Sequence, residues 1–215
     1  MSRDRASRSG LPEASGQAQA ADRHQQILIV AAGLFARKGV AATTVREIAD
    51  EVGILSGSLY HHFESKEAMV DQILAPYLAD LRAKYAAVLN TRADPRTRLQ
   101  DLIVASLQVV EAHPHATEIY QSDVFYLSQF DRFGYLRTAA ADVRRAWLEV
   151  IGDGIAAGAF RADLEPSILY RVMRDAVWLS VRWFRPTRDY PLSRLAQDCT
   201  SLVLDGVAAP QPAPA

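Results

Sequence analysis

The chain has 215 residues, with 24 basic against 25 acidic side chains and a formal net charge of −1. That length can bury a substantial core in one large or two small domains, and the charge balance offers no overall attraction to nucleic acid. A single cysteine, Cys199, excludes an intramolecular disulfide framework and a cysteine-rich metal site. No run is long and uncharged enough to span a bilayer, and residues 1–21 lack the apolar stretch of a leader, so a cytoplasmic protein is expected.

Ala, Leu, Val and Arg dominate, and no alternating run stands between turn pairs, so the expected fold is all-α. Residues 1–21, polar and rich in small side chains, read as a disordered tail. From Asp22, the residues Ile27, Val30, Ala31, Leu34 and Phe35 recur at helical spacing up to Gly39. Thr44 then caps a short helix whose apolar face is Val45, Ile48, Ala49 and Val52, and Gly53 ends it. After Ile54-Leu55, Ser56 is placed to cap a second short helix with Leu59 and Phe63 inward. Two such helices about a glycine turn form a helix-turn-helix, whose second helix enters the DNA major groove.

Ser65 starts a long helix with Val70, Ile73, Leu74, Tyr77, Leu81, Tyr85 and Val88 inward, interrupted at Pro76 by either a tolerated kink or a hinge. Asp94-Pro95 opens another to about Ala112; further helices are expected over 116–129, 133–157, 163–184 and 191–207. The sum is about nine helices. A disordered tail over 1–21 and a three-helix head over 22–67 precede a helical body over 68–208 and an Ala/Pro tail over 209–215.

The head is formally neutral: Arg23, Arg37, Lys38, Arg46 and Lys66 balance Asp22, Glu47, Asp50, Glu51 and Glu64. Local placement must therefore supply the phosphate contacts, with Arg3, Arg5 and Arg8 upstream as possible helpers. On the second helix Ser56, Gly57, Ser58, Tyr60 and His61 face outward, where small residues permit close approach and hydroxyl or imidazole groups reach phosphates and base edges. Thr44 can offer its hydroxyl and backbone N–H to a phosphate. Arg46 is divided between DNA and solvent, and His62 between helix packing and a phosphate.

In the body, Arg171, Arg174, Trp178, Arg182 and Arg185 step by three, four, four and three, which places four guanidinium groups and an indole on one face of a continuous helix. Val172, Met173, Ala176, Leu179 and Trp183 form the reverse face. Arginine favours planar anions and stacks on aromatic rings, so the stripe suits a ligand with several phosphates and a flat ring, such as a coenzyme A thioester. A dimer interface, or a surface stripe paired with acids of a neighbouring helix, explains the same five residues on spacing alone. Apolar faces with Val177 and Val181, and with Leu195, Cys199, Leu202 and Val203, suggest that the last two helices pair with those of a second copy.

The run Val45-Arg46-Glu47-Ile48-Ala49, Val52-Gly53-Ile54, Gly57-Ser58-Leu59-Tyr60-His61-His62-Phe63 and Ser65-Lys66-Glu67 resembles the N-terminal signature of the TetR family of transcriptional regulators. The resemblance implies an all-helical homodimeric repressor that reads palindromic double-stranded DNA, with Tyr60 and Lys66 on the DNA backbone and a ligand pocket in the body. Arg174-Asp175, Trp178, Ser180-Val181-Arg182-Trp183 and Arg185-Pro186 are similar to a branch of that family that represses steroid-ring degradation and responds to a steroid-derived CoA thioester. It implies that Arg174 and Trp178 bind the effector. No resident cofactor or metal is expected. A regulator of another pathway, such as fatty acid metabolism or drug efflux, is the alternative. An enzyme is disfavoured, because His113, His115 and the His61-His62 pair have no carboxylate or cysteine set beside them and no nucleophile elbow or phosphate loop occurs.

Overall fold

The computed structural model describes residues 12–207; Arg3, Arg5, Arg8 and the tail over 209–215 lie outside the described residues. Within them are ten α-helices and one short 3-10 turn at Asp131–Phe133. The first three helices are α1 (Pro12–Lys38), α2 (Val45–Val52) and α3 (Ser56–Leu59), and α4 is Lys66–Leu89. Then come α5 (Pro95–Ala112), α6 (Pro114–Leu127), α7 (Tyr135–Ala156), α8 (Pro166–Trp178), α9 (Ser180–Trp183) and α10 (Leu192–Val207).

Three boundaries differ from expectation, the one in the head being that α3 ends at Leu59, so Tyr60 and His61 lie in the turn after it and not on the helix. The first helix begins at Pro12, ten residues before Asp22, so 12–21 is helical and not part of a disordered tail. Proline at a first helical position followed by four alanines and two glutamines between 13 and 21 gives propensity without an apolar face, and periodicity does not register it. The helix expected over 163–184 is two, α8 and α9, which raises nine to ten among the described residues. At the break, the Ser180 hydroxyl donates to the Val177 carbonyl and Arg182 N–H turns back to the Leu179 carbonyl, so the regular ladder stops.

The head closes on a small core of Ile27, Ala31, Phe35, Val40, Ile48, Ala49, Leu59 and Phe63, all buried. Ala49, fully buried, is the small residue at the α2–α3 crossing. Gly53 takes a left-handed conformation, φ 76° and ψ 39°, and the Ile54 N–H returns to the Ala49 carbonyl at 2.9 Å, which caps α2 and turns the chain into α3. The first helix packs on α2 and also on α4 and α6, so it spans head and body.

In the body α4, α5 and α7 pack together, with α8 and α10 closing against α5. The fourth helix, about 36 Å long, continues through the exposed Pro76 and buries Met69, Val70, Leu74, Tyr77, Leu78, Leu81, Tyr85 and Val88. A polar chain crosses this core: Trp147 Nε1–H donates to the Tyr85 hydroxyl (2.9 Å), Tyr85 to Ser106 Oγ (2.6 Å) and Ser106 to the Leu102 carbonyl (2.7 Å). Each donor of this chain is satisfied, as the low-dielectric interior demands. Arg98, also largely buried, ties α5 to α7 through Asp153 (2.6 Å) and Glu149 (3.1 Å).

Candidate functional sites: the helix-turn-helix face and an aromatic cavity

The outer face of the head is set by what its inner face must do. Leu59 and Phe63 are buried, so Gly57, Tyr60 and His61 are exposed, with Ser56 and Ser58 half-buried beside them. A methyl group built on Gly57 meets no atom of the protein within 4 Å, so nothing inside the chain requires glycine at that point of a helix. His62 is half-buried, its ring centroid 6.4 Å from that of His24, which itself stacks on Phe63 at 4.2 Å. Packing against α1 thus accounts for His62. Arg46 is exposed and only loosely paired with Asp50 at 3.8 Å.

Two residues expected on phosphates are engaged within the protein. Thr44 forms a capping box: its hydroxyl accepts the Glu47 N–H at 3.2 Å, and the Glu47 carboxylate accepts the Thr44 N–H at 2.8 Å. Lys38 pairs with the same carboxylate, and these hydrogen bonds, Lys38 first and Thr44 next, hold Glu47 down at about 2. Both polar groups of the exposed Thr44 are thus engaged within the head. Lys66 donates to the Val40 carbonyl at 2.7 Å and the Thr43 carbonyl at 3.0 Å, so two of its three donors clamp the loop between α1 and α2. Ser56 is not the cap of α3; Leu55 occupies that position without a side-chain bond.

In the body, a cavity of about 170 Å³ opens between α4, α6, α7 and α8. Its walls are Tyr77, Leu81, Tyr120, Val124, Val143 and Trp178, and its polar edge is Gln121, Tyr170 and Arg174. The Arg174 guanidinium lies 5.9 Å from the Tyr170 ring centre and donates from Nε and Nη2 to Asp175 at 2.8 and 2.6 Å. Asp175 is half-exposed, so the partner is displaceable. Burial raises the Tyr120 and Tyr170 hydroxyls; Arg174 pulls both back down, assisted at Tyr120 by Arg82 and at Tyr170 by Arg144. Of these cations Arg174 alone lines the cavity; Arg82 pairs with Asp142 at 3.7 Å.

The protein-family model described as bacterial regulatory proteins, tetR family, matches residues 27–73, and a tetracyclin repressor-like C-terminal domain matches 92–207. A repressor named KstR2 from Rhodococcus jostii is 42% identical over 199 residues, covering 93% of this chain and 98% of its own length. The chain belongs to the TetR family. A second KstR2, from Mycobacterium tuberculosis, is 42% identical over 88% of this chain and 94% of its own length. The solved structure of the ketosteroid transcriptional regulator KstR2 of M. tuberculosis superposes with a TM-score of 0.81 at 42% identity, over 87% of this chain and 96% of that one. As a TetR-family protein the chain is a transcriptional repressor and not an enzyme, and no described helix is long and apolar enough to cross a membrane.

Of the five residues of the arginine stripe, the TetR body brings two together. Arg174 and Trp178 share the cavity; Arg171 is exposed and is not one of its lining residues. Arg182 turns to Ser122 Oγ on α6 at 3.1 Å. Arg185 donates to the Val181 and Phe184 carbonyls and edges a separate 350 Å³ groove with Glu111 and Glu118, whose carboxylates disfavour a polyphosphate. The break at Leu179 ends the shared face. The stripe's reverse face is split: Met173 is buried and Leu179 half-buried, while Val172, Ala176 and Trp183 are exposed. Linear spacing does not single out Tyr77, Tyr120 and Tyr170 as cavity residues. The clustering of Tyr77 with Leu81 and of Tyr120 with Val124 at helical spacing is the one trace they leave in the sequence.

Proposed function

We propose that this TetR-type repressor governs genes of steroid-ring catabolism, occupying a palindromic operator as a homodimer and leaving it when a steroid-derived acyl-CoA thioester binds. The observation that carries this reading is the corner formed by Arg174, Tyr170 and Trp178 at the edge of an aromatic and aliphatic cavity. The ring end of the effector enters between Leu81, Val124, Val143 and Trp178, while its charged end stays with Arg174. The half-exposed pair with Asp175 contributes at most about 1 kcal/mol, whereas a guanidinium hydrogen bond to a charged phosphate contributes roughly 1.5–3 kcal/mol. Exchange of one partner for the other is therefore favourable. The ketosteroid named for the M. tuberculosis relative is consistent with the same ligand class. A cationic drug, as an efflux regulator would sense, meets the Arg174 guanidinium at the cavity edge and is repelled.

The expected dimer uses α8 and α10, but not through Val177, Val181 or Leu195, which are buried within the protomer. The apolar groups left outward are Ile168, Val172 and Ala176 on one face of α8 and Leu202 on α10. Pairing those faces with a second copy removes them from water and sets two heads at the spacing of successive major grooves, about 34 Å or a multiple.

Release follows from two shared helices. Tyr120, Gln121 and Val124 of α6 line the cavity, and Asp123 between them accepts the Val40 N–H at 3.2 Å in the loop that leads into α2. Tyr77 and Leu81 of α4 line the same cavity, and Lys66 at its start holds the same loop. A ligand that favours a different setting of α4 and α6 thereby favours a different head position, and DNA and effector oppose each other by linkage. Calorimetry tests the ligand class: a steroid-ring CoA thioester binds more tightly than a short acyl-CoA, and free CoA binds weakest. Equal affinity for all three, or none, contradicts the reading.

A further inference from the structure

The α2–α3 turn holds an anomaly that the fold does not use. Ile54 is half-buried against the head core and stands one position before the cap, five residues from the fully buried Leu59; this is the arrangement of a hydrophobic staple that fixes the entry of α3. Leu55 follows in extended conformation, φ −70° and ψ 141°, with its carbonyl accepting the Ser58 N–H at 2.9 Å, and its side chain is 80% exposed. A helix cap is where Ser, Thr, Asp or Asn stabilises the first turn, and leucine supplies nothing there. The isobutyl group thus gives up a cap and stays in water, at the tip of the helix that a TetR-family head presents to the major groove.

We propose that Leu55 reads a base, packing its isobutyl group against the 5-methyl of a thymine in each operator half-site. The surroundings suit this role. Gly57 and Ser58 keep the backbone low so that the leucine reaches the groove floor first, and the thymine methyl is the one apolar feature a base pair displays in that groove. Polar neighbours Ser56, Tyr60 and His61 remain for phosphates and base edges. The proposal rests on operator binding through α3 and is independent of the effector.

The test is a double-mutant cycle between protein and DNA, using the full chain and a duplex from its own upstream region. Replacing each thymine by deoxyuridine in turn removes one methyl. One symmetry-related thymine lowers wild-type affinity about three- to fivefold, the worth of one buried methyl, and the same replacement is silent with Leu55→Ala. Leu55→Ser gives opposite signs in two readouts: the restored cap raises Tm by about 2 °C or more, while operator affinity falls and thymine dependence disappears. Every deoxyuridine duplex binding as the parent, or Leu55→Ala retaining the methyl dependence, overturns the proposal. Failure of wild-type protein to bind any upstream duplex removes the operator reading itself.

Discussion

The two working regions differ in how far along the chain their parts lie. In the head, Ser56 to Phe63 supply both the outward groups and the inward anchors, and caps at Thr44 and Gly53 orient them from a few residues away. In the body, the cavity draws on Tyr77, Tyr120, Val143 and Trp178 from four helices, so its shape depends on packing across the whole bundle. A surface made by local geometry tolerates change in its outer side chains; a cavity made by packing does not. Substitutions in the head should therefore separate binding from stability, and substitutions in the body should mix them.

The largest separation is expected at Gly57. Gly57→Val meets only open space within the protein and leaves thermal stability within a few degrees, yet it places bulk between backbone and groove. Operator affinity drops at least about 100-fold, roughly 2.7 kcal/mol, measured by fluorescence anisotropy. A variant that binds normally would show that α3 does not approach the groove at this residue. In the body, Tyr85→Phe leaves the buried Trp147 N–H without its acceptor and costs about 1–3 kcal/mol, read as a Tm lower by several degrees. Operator affinity at 20 °C stays unchanged, so the loss is confined to stability.

Arg174→Met probes the junction of the two regions. Half-release of operator needs about ten times more effector, equivalent to roughly 1.4 kcal/mol, with unchanged affinity in its absence. Loss of both would assign Arg174 a structural role. The smallest effect is at Asp123, whose second oxygen is buried without a partner and whose carboxyl is raised by burial, only partly offset by the Val40 N–H. The native state holds that proton more tightly than the unfolded chain. Wild-type stability accordingly falls as pH climbs from the ordinary 3.8 through the raised value. Asp123→Asn keeps an acceptor for Val40 and removes the charge, so urea unfolding shows it at least as stable as wild type at pH 7, with an advantage that disappears below that window. Asp123→Ala strands the Val40 N–H and weakens operator binding several-fold.

The same contrast explains what the amino-acid sequence disclosed. Thr44, Gly53, Leu59 and Phe63 announce the head because each acts on neighbours within a turn or two. Arg174 and Trp178 were visible because four residues bring them onto one helix face. Arg182 and Arg185 share that face only on a continuous helix, and the chain breaks the helix at Leu179. The internal engagement of Thr44 and Lys66 escaped for a related reason: polar side chains at a helix start suit a phosphate and a loop carbonyl equally well, and only the path of the chain between Gly39 and Thr44 decides.

The central claim is that the cavity governs the head. Its most direct test is a gel shift on the protein's own upstream DNA, titrated in parallel with free CoA, a short acyl-CoA and a steroid-ring CoA thioester. The steroid-ring thioester releases the DNA at concentrations where the other two leave the complex intact. A complex that persists at saturating amounts of every thioester contradicts that claim.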